Sequence, residues 1–251
     1  MAPISNNEIK RLKSLQQKKF RDEYGLFVVE GEKMVEEAEN SSFTIENKYL
    51  REEIGNEAMS RISSLASPSP VLAVVRKPSD IYINDISSLA EMLSKGGLYL
   101  GLDSIRDPGN LGTILRIADW FGVDAVFATR DTVDVFNPKV VQATMGAVFR
   151  VKMHYVDLPD LSKQILSAGG KVYGTFLDGT NIYQRDLDTG SESPVMIVIG
   201  NESEGISEAM SALVSDRLYI PPFPADTPGS ESLNAAIATA LTVAEFRRRT
   251  I

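Results

Sequence analysis

Three polar, glycine-containing segments in the second half of the chain hold the residues best suited to chemistry. The first, residues 103–113, follows an apolar run and opens a helical pattern that contains Asn110 and, further along, Arg116. An asparagine at the start of a helix can cap it, and a planar guanidinium is suited to binding phosphate. An ordinary capped helix with an exposed arginine would explain the same residues.

The second segment, residues 200–205, places two carboxylates between two glycines. Glu202 and Glu204 come directly after the apolar run 195–199. Such a segment is a reasonable way to present a charge at the end of a strand. A polar loop leading into a helix near Ile206 is the alternative reading.

The third segment, residues 220–234, is rich in proline and leads into a final helical pattern. Ser232 and Asn234 lie at the start of that helix, where a capping role would be sufficient to explain them. A narrow stripe of small and apolar residues follows and predicts close helix packing. The stripe consists of Leu233, Ala236, Ile237, Ala240, Leu241 and Ala244.

The elements that must position these segments alternate between strand and helix. The candidate strands are residues 98–102, 124–128, 171–176, 195–199 and 217–220. The run 195–199 is apolar throughout, which is typical of a strand buried on both faces of a parallel sheet. We therefore expect an α/β domain with helices on both faces of the sheet. Ligands of such sheets bind beyond the carboxyl ends of the strands, where the three segments lie.

The first part of the chain reads as a separate small α/β unit. It has strand-like runs at 26–29 and 71–75 and a helical stretch from about Glu32. A turn and a linker follow, so we place a domain boundary near residue 95. The predicted domains are residues 1–95 and 96–251.

Composition excludes several classes of protein. The 251 residues include no cysteine and one histidine, His154, which rules out disulfides and Cys/His zinc sites. The lack of cysteine suits a reducing cytoplasm. No apolar run reaches the ~18 residues of a membrane span, so we expect a protein without membrane contact.

Charge is distributed unevenly along the chain. The net charge of −8 argues against indiscriminate nucleic-acid binding. A basic stretch near the N-terminus nevertheless indicates a specific RNA contact, although a solvated helix face is an equal alternative. Its cations are Lys10, Arg11, Lys13, Lys18, Lys19 and Arg21.

Taken together, the three segments resemble the three motifs of the SpoU (TrmH-like) family within the SPOUT superfamily. The first, LDSIRDPGNLGTILRIADWFG, resembles motif 1, GNESEGIS resembles motif 2, and IPPFPADTPGSESLNAAIATA resembles motif 3. The stretch from Asn6 to Ala38 is similar to the small RNA-binding domain, related to a ribosomal-protein fold, that precedes the catalytic domain in many members. Motif 3 departs from the pattern through extra residues with four prolines before Gly229, and through Ala235-Ala236 where Val-Ser is usual.

The resemblance implies an S-adenosylmethionine-dependent enzyme that methylates a ribose 2′-hydroxyl in structured RNA, with ribosomal RNA favoured over transfer RNA. It also implies a parallel sheet with a C-terminal deep trefoil knot, and a homodimer formed through the knotted domain. The implied catalytic positions are Asn110, Arg116, Glu202, Ser232 and Asn234. The implied cofactor contacts are Thr175, Leu177, Gly200, Asn201, Gly205, Ile220 and Leu233.

For this chemistry the 2′-hydroxyl must be oriented and its proton held. Arginine stays protonated near neutral pH, so we expect Arg116 to clamp the neighbouring phosphate rather than act as a simple base. The reaction needs no metal, and His154 lies outside all three motifs. Arg247, Arg248 and Arg249 could contact RNA or complement the dipole of the last helix.

Two rival functions remain at this point. One is a non-catalytic RNA-binding protein, such as a ribosome-assembly factor, on the same fold. The other is an ordinary nucleotide-dependent α/β enzyme that uses the strand, loop and helix at 98–121.

Overall fold

The structure of the protein, a computed structural model, describes residues 4–224 and 232–250. The middle of the proline-rich segment, residues 225–231, lies outside the described residues. The helices are α1 Asn6–Ser14, α2 Lys18–Tyr24, α3 Glu32–Glu39, α4 Arg51–Ile54, α5 Asn56–Ile62, α6 Ala90–Leu93, α7 Pro108–Trp120, α8 Pro138–Thr144, α9 Leu158–Ser167, α10 Glu208–Ser211 and α11 Ala235–Arg248. The strands are β1 Leu26–Glu30, β2 Ile45–Leu50, β3 Val71–Arg76, β4 Gly97–Leu102, β5 Ala125–Ala128, β6 Met153–Tyr155, β7 Lys171–Asn181, β8 Pro194–Ile199 and β9 Asp216–Tyr219.

The chain divides into two compact units. Unit 1 holds Met1–Ser79 and Asp134–Arg150, and unit 2 holds Asp80–Val133 and Val151–Ile251. A segment from far along the chain therefore packs with the N-terminal residues. The domain boundary placed near residue 95 stays a prediction.

Unit 1 is built on a three-stranded antiparallel sheet with the order β1-β3-β2. Helices α1 and α5 pack together against its apolar residues. The distant segment joins through aromatic contacts, since the ring of Phe136 lies 4.5 Å from that of Phe27 and the ring of Phe149 lies 6.4 Å from it. The buried core on the α1 side consists of Ile9, Leu12, Leu15, Leu26, Met59, Ile62, Leu72 and Val74.

Unit 2 is built on a parallel sheet with the order β6-β5-β4-β8-β7-β9. All six residues of β8 are buried, as the apolar run predicted, because both faces of the sheet are covered. The five strands expected in this region are confirmed, with ends that shift by a residue or two except at β7, which extends to Asn181.

The order of the strands places the ends of β4 and β8 side by side. From β4, the next two strands in the sequence, β5 and β6, extend the sheet to one edge, and β8 lies on the other side of β4, between it and β7. At the carboxyl end, the amide of Asp103 donates to the carbonyl of Ile199 at 2.9 Å. Loops 103–107 and 200–206 consequently begin next to each other, as at the ligand-binding ends of other open parallel sheets.

Within the described ranges, no helix is both long and apolar enough to cross a membrane. The same ranges contain no group of three or more His, Cys, Asp or Glu side chains placed to hold a metal ion.

Candidate active site

Helix α7 begins at a proline and is capped by an aspartate. The Asp107 carboxylate accepts from the amide of Asn110 at 2.8 Å, and Pro108 occupies the first helical position, where its missing N–H costs nothing. The capping role considered for Asn110 is therefore wrong, because this residue lies within the first turn. Its side chain is free to point elsewhere.

Asn110 joins the other two segments by hydrogen bonds. Its side-chain amide donates to Glu202 Oε1 at 2.6 Å. Its Oδ1 accepts from the side-chain amide of Asn234 at 2.8 Å. Glu202 and Asn234 lie 92 and 124 positions from Asn110 along the sequence. The three side chains form one chain of hydrogen bonds that we call the polar relay.

Asn234 is the cap of α11, as considered, and also contacts Asn110. Its Oδ1 accepts from the amides of Ala236 at 2.9 Å and Ile237 at 3.3 Å, so it caps α11 while its amide reaches Asn110. Ser232 is exposed and hydrogen-bonds to none of the described residues.

The conformation of loop 200–205 is fixed by the side chain of Asn201 and by the close approach of its own backbone. Asn201 is buried, donates to the Ser104 carbonyl at 2.8 Å and accepts from the amides of Ser203 and Glu204. A Cβ on Gly200 would lie 2.2 Å from the carbonyl carbon of Gly205, so only glycine fits there. The side chain of Asn201 and a pair of backbone hydrogen bonds between Asn201 and Gly205, both 2.9 Å, thus fix the shape of the loop.

Ser104 occupies a left-handed conformation, with φ of 62°, directly beside this loop. Its amide donates to Thr129 Oγ1 at 2.9 Å and its hydroxyl to Asp131 Oδ2 at 2.6 Å. Burial raises the pKa of Asp131, but the hydrogen bonds from Ser104 and Thr129 outweigh it and lower the pKa below its ordinary value. Non-glycine residues in this region are uncommon, and such strain persists where surrounding contacts impose it.

Arg116 lies on the exposed face of α7 and pairs with no described residue. The apolar face of the helix is buried through Leu111, Ile114, Leu115 and Ala118. The guanidinium is thus held on a packed helix, and its donors bond to none of the described residues.

A pocket of about 650 Å³ opens beside loop 200–205. Thr175, Leu177 and Gly205, three of the expected cofactor contacts, line it, and the side chain of Leu177 is 68% exposed. Ile220 directly follows β9 and is half-buried, whereas Leu233 is 48% exposed ahead of α11. Most small-molecule sites have this range of volume and combine apolar walls with a few polar groups.

The stripe predicted on α11 packs within this chain only in part, since Ala236 is buried but its larger apolar members are not. Ile237 is 51% exposed and Leu241 39% exposed, as part of an open apolar face. The sequence pattern was misleading because several polar residues of α11 are buried instead, with hydroxyls that bond to the preceding turn. The buried residues are Ala235, Ala236, Thr239, Thr242, Val243, Glu245 and Phe246.

In unit 1, Arg21 is not available to bind RNA. Its side chain is 2% exposed and forms an ion pair with Asp134 at 2.7 Å. Nη1 also donates to the carbonyls of Leu15 and Gln16 at 2.8 Å. Its assignment to the RNA-binding set was wrong, because this arginine ties the start of segment 134–150 to the α1–α2 turn.

The other cations of this stretch differ in how far they are engaged. Arg11 is paired with Glu8 at 2.8 Å and with Glu46 at 3.1 Å. Hydrogen bonding from Arg11 is the main cause that lowers the pKa of Glu8. Lys18 pairs with Asp22, whereas Lys10, Lys13 and Lys19 are exposed and pair with no described carboxylate.

Helix α2 also carries an aromatic pair that the sequence interpretation did not include. The rings of Phe20 and Tyr24 stack with centroids 6.1 Å apart, Lys19 Nζ lies 5.6 Å from the centroid of Phe20, and Tyr24 is 40% exposed. The four-residue spacing of two aromatic residues among lysines was the available signal.

The C-terminal arginines stabilise helix ends. Arg247 donates to the carbonyls of Phe121 and Gly122 beyond the end of α7, and Arg248 and Arg249 both pair with the buried Glu245 at 2.8 and 2.9 Å. His154 is likewise structural, with Nδ1 2.8 Å from the Asp80 carbonyl and its ring stacked on Phe127.

Comparison with known proteins assigns the two parts of the chain. Residues 97–244 match the SpoU rRNA methylase family, and residues 6–78 match an MRM3-like substrate-binding domain. The chain belongs to the SpoU rRNA methylase family. The expected enzyme class, an S-adenosylmethionine-dependent RNA 2′-O-methyltransferase, and the expected fold are thereby confirmed, and the nucleotide-dependent rival is excluded. The deep C-terminal knot is implied by this membership.

Relatives align over nearly the whole chain. The 23S rRNA (guanosine(2553)-2′-O)-methyltransferase RlmP of Bacillus subtilis is 30% identical, over 96% of each chain. A TrmH-family protein from Porphyromonas gingivalis is 37% identical, with a TM-score of 0.84 over 99% of this chain and 100% of its own. An rRNA methyltransferase from Sinorhizobium meliloti, solved with S-adenosylmethionine bound, is 29% identical, with a TM-score of 0.85 over 100% of this chain and 98% of its own.

Proposed function

We propose that this enzyme methylates a ribose 2′-hydroxyl of large-subunit ribosomal RNA, with the polar relay and Arg116 as its catalytic groups. The polar relay carries the proposal, because it brings side chains from all three motifs together at the carboxyl end of the parallel sheet. The similarity to the Bacillus subtilis 23S rRNA enzyme over both chains supports the choice of RNA.

The residues beside loop 200–205 fit S-adenosylmethionine. The pocket pairs the exposed apolar side chain of Leu177 with Gly205, which has no side chain to obstruct a ligand. Two carboxylates, Glu204 and Glu208, line the same pocket and suit a ligand with a positively charged sulfonium and ammonium group. When bound, S-adenosylmethionine supplies an electrophilic methyl group. Thr175, Gly200, Asn201, Ile220 and Leu233 complete the proposed set of contacts.

The polar relay orients the nucleophile. Glu202 uses Oε1 for Asn110, and Oε2 has no partner among the described residues, so it can accept the proton of the ribose hydroxyl in a hydrogen bond. Asn110 and Asn234 fix the direction of that carboxylate. Arg116 clamps the adjacent phosphate through its exposed planar guanidinium, and exposed Ser232 contributes a hydroxyl at the start of α11.

We also propose that the enzyme acts as a homodimer through unit 2. Large apolar side chains are exposed on α7 and α11, namely Trp120 at 85%, Ile237 at 51% and Leu241 at 39%. Exposed apolar residues that are grouped on two packed helices mark an interaction surface. Burial of these residues against a second copy would remove them from water.

The N-terminal helices supply the proposed RNA contact. Lys10, Lys13 and Lys19 offer free ammonium groups for phosphates, and the Phe20–Tyr24 pair offers an aromatic face for an unpaired base. Arg11 and Lys18 are secondary contacts, because carboxylates already engage them.

The chain's lack of cysteine supports a cytoplasmic location.

The test is methyl transfer to separated pools of RNA. The protein is incubated with labelled S-adenosylmethionine and either unmodified ribosomal RNA or unmodified transfer RNA, and alkali-resistant dinucleotides are scored. We expect label in such dinucleotides from 23S rRNA alone. Label confined to transfer RNA would contradict the proposed substrate. No label together with no cofactor binding would favour the non-catalytic RNA-binding protein.

A further inference from the structure

Arg217 of β9 makes an unusually complete set of contacts for an exposed side chain. Its Nη2 donates to Asp178 Oδ1 at 2.6 Å, its Nε donates to the same oxygen at 3.2 Å, and its Nη1 donates to Ser211 Oγ at 3.0 Å. The guanidinium carbon also lies 3.6 Å from the ring centroid of Phe176. One side chain therefore connects β7, α10 and β9, a set of contacts that we call the Arg217 clasp.

The Arg217 clasp contacts a part of β7 that has no hydrogen-bonded strand partner in the sheet. The pairing of β7 with β8 ends at Gly174, and its pairing with β9 shifts register between Thr175 and Thr180. Residues 176–179 thus lack ladder partners on either side. At the end of this stretch a Cβ on Gly179 would lie 2.6 Å from the carbonyl carbon of Leu218, so the two backbones approach closely there. Such bulged segments are often found next to active sites, where they re-aim a side chain.

Leu177 lies between the two β7 residues that the clasp grips. Phe176 and Asp178 flank it, and all three belong to the unpaired stretch. Arg217 and Phe176 also line the same pocket as Thr175 and Leu177. Ion pairs as exposed as Arg217–Asp178, with side chains 42% and 74% exposed, add little to stability. Overall stability is therefore a poor explanation for this arrangement.

We propose that Arg217 is a positioning residue for the cofactor, which holds the backbone around Leu177 in its binding conformation through Phe176 and Asp178. This inference rests on the proposed cofactor pocket. It assigns to Arg217 an effect on cofactor affinity and none on the methyl-transfer step once the pocket is filled. Lysine cannot replace it fully, because a point charge cannot stack on a ring and bridge two acceptors with one planar group.

The experiment is calorimetric binding of S-adenosylmethionine to the full chain, with kcat measured on ribosomal RNA at saturating cofactor. We expect Arg217→Ala to raise the Kd about tenfold and Arg217→Lys about threefold, because binding must then order the loosened segment. The control is Arg185→Ala, which removes an ion pair to Asp216 on the same strand from a side chain 44% exposed. The control should keep the Kd within about twofold, and kcat should change by less than about twofold in every variant.

Several outcomes would overturn the inference. These are an unchanged Kd in Arg217→Ala, an equal loss in Arg185→Ala, or a fall in kcat with an unchanged Kd. Wild-type protein that binds no cofactor would instead refute the proposed function on which the inference rests. If Arg217→Ala folds poorly, Asp178→Asn keeps the stacked ring and should raise the Kd about threefold. Amide exchange at residues 176–179 should be faster in that variant, and unchanged exchange with an unchanged Kd would also overturn the inference.

Discussion

The carboxyl edge of the parallel sheet in unit 2 and the N-terminal helices of unit 1 use their polar residues in different ways. At the sheet edge, Asn110 bonds to both Glu202 and Asn234, and Glu202 Oε2 has no partner among the described residues. Among the helices, Arg21 is buried in an ion pair with Asp134, whereas Lys19 is exposed. Motif residues at strand ends were therefore a better guide to function than a run of like charges on helices.

The largest effect is expected from removal of the buried arginine of unit 1. Arg21→Ala leaves Asp134 buried without its charge partner, and we expect a loss of about 3–5 kcal/mol in the free energy of unfolding. Urea unfolding measures it. Lys19→Ala on the same helix is the control and should change stability by less than about 0.5 kcal/mol. Equal, small effects would show that Arg21 is not the tie between segment 134–150 and the N-terminal helices.

The second prediction concerns the polar relay. Asn110→Ala disconnects Glu202 from Asn234, so the carboxylate loses its direction, and we expect methyl transfer to fall about 100-fold. Single-turnover kinetics at saturating cofactor measures the loss. Asn137→Ala removes an asparagine that also lies at a helix start, as the cap of α8, and should leave the transfer rate within about twofold. A variant of Asn110 with the wild-type rate would contradict the catalytic role of the relay.

The ends of the strands explain why most of unit 2 could be predicted. Uninterrupted apolar runs such as 195–199 require burial on both faces, which fixes a parallel sheet and places polar loops at its carboxyl edge. The family resemblance named all three members of the polar relay, but the hydrogen bonds between them could not be predicted, because the members are far apart in the chain. The cap of α7 is Asp107 and not Asn110, which lies one turn further along the helix. The side chain of Asn110 can therefore bond to the other two segments.

Unit 1 and α11 show where sequence reasoning fails. No pattern indicated that residues 134–150 pack with the N-terminal helices, since Asp134 contacts Arg21 across 113 positions. The spacing of small apolar residues on α11 predicted a packed stripe, yet Ile237 and Leu241 are exposed. Threonines occupy the buried face instead, because their hydroxyls donate to carbonyls of the preceding helical turn. Burial of polar residues depends on partners that a linear pattern does not display.

The smallest predicted effect is that of a single free lysine on RNA binding. Lys19→Ala should weaken the affinity for ribosomal RNA by about 1 kcal/mol and reduce the salt dependence by about one counterion, because one phosphate contact is lost. Filter binding at several salt concentrations measures both quantities. Lys163→Ala removes an exposed lysine of α9 that pairs with Asp160 and should have no measurable effect. The same loss in both variants would mean that general charge, and not this helix, governs binding.

The most direct test of the account is Arg116→Ala, measured for methyl transfer and for cofactor binding in the same preparation. Because the exposed Arg116 is proposed to clamp the substrate phosphate, single-turnover transfer to ribosomal RNA should fall at least about 10³-fold. The Kd for S-adenosylmethionine should stay within about twofold of wild type. An active variant, or one that loses cofactor binding in proportion to its activity, would contradict the assignment of Arg116 to the RNA and with it the proposed mechanism.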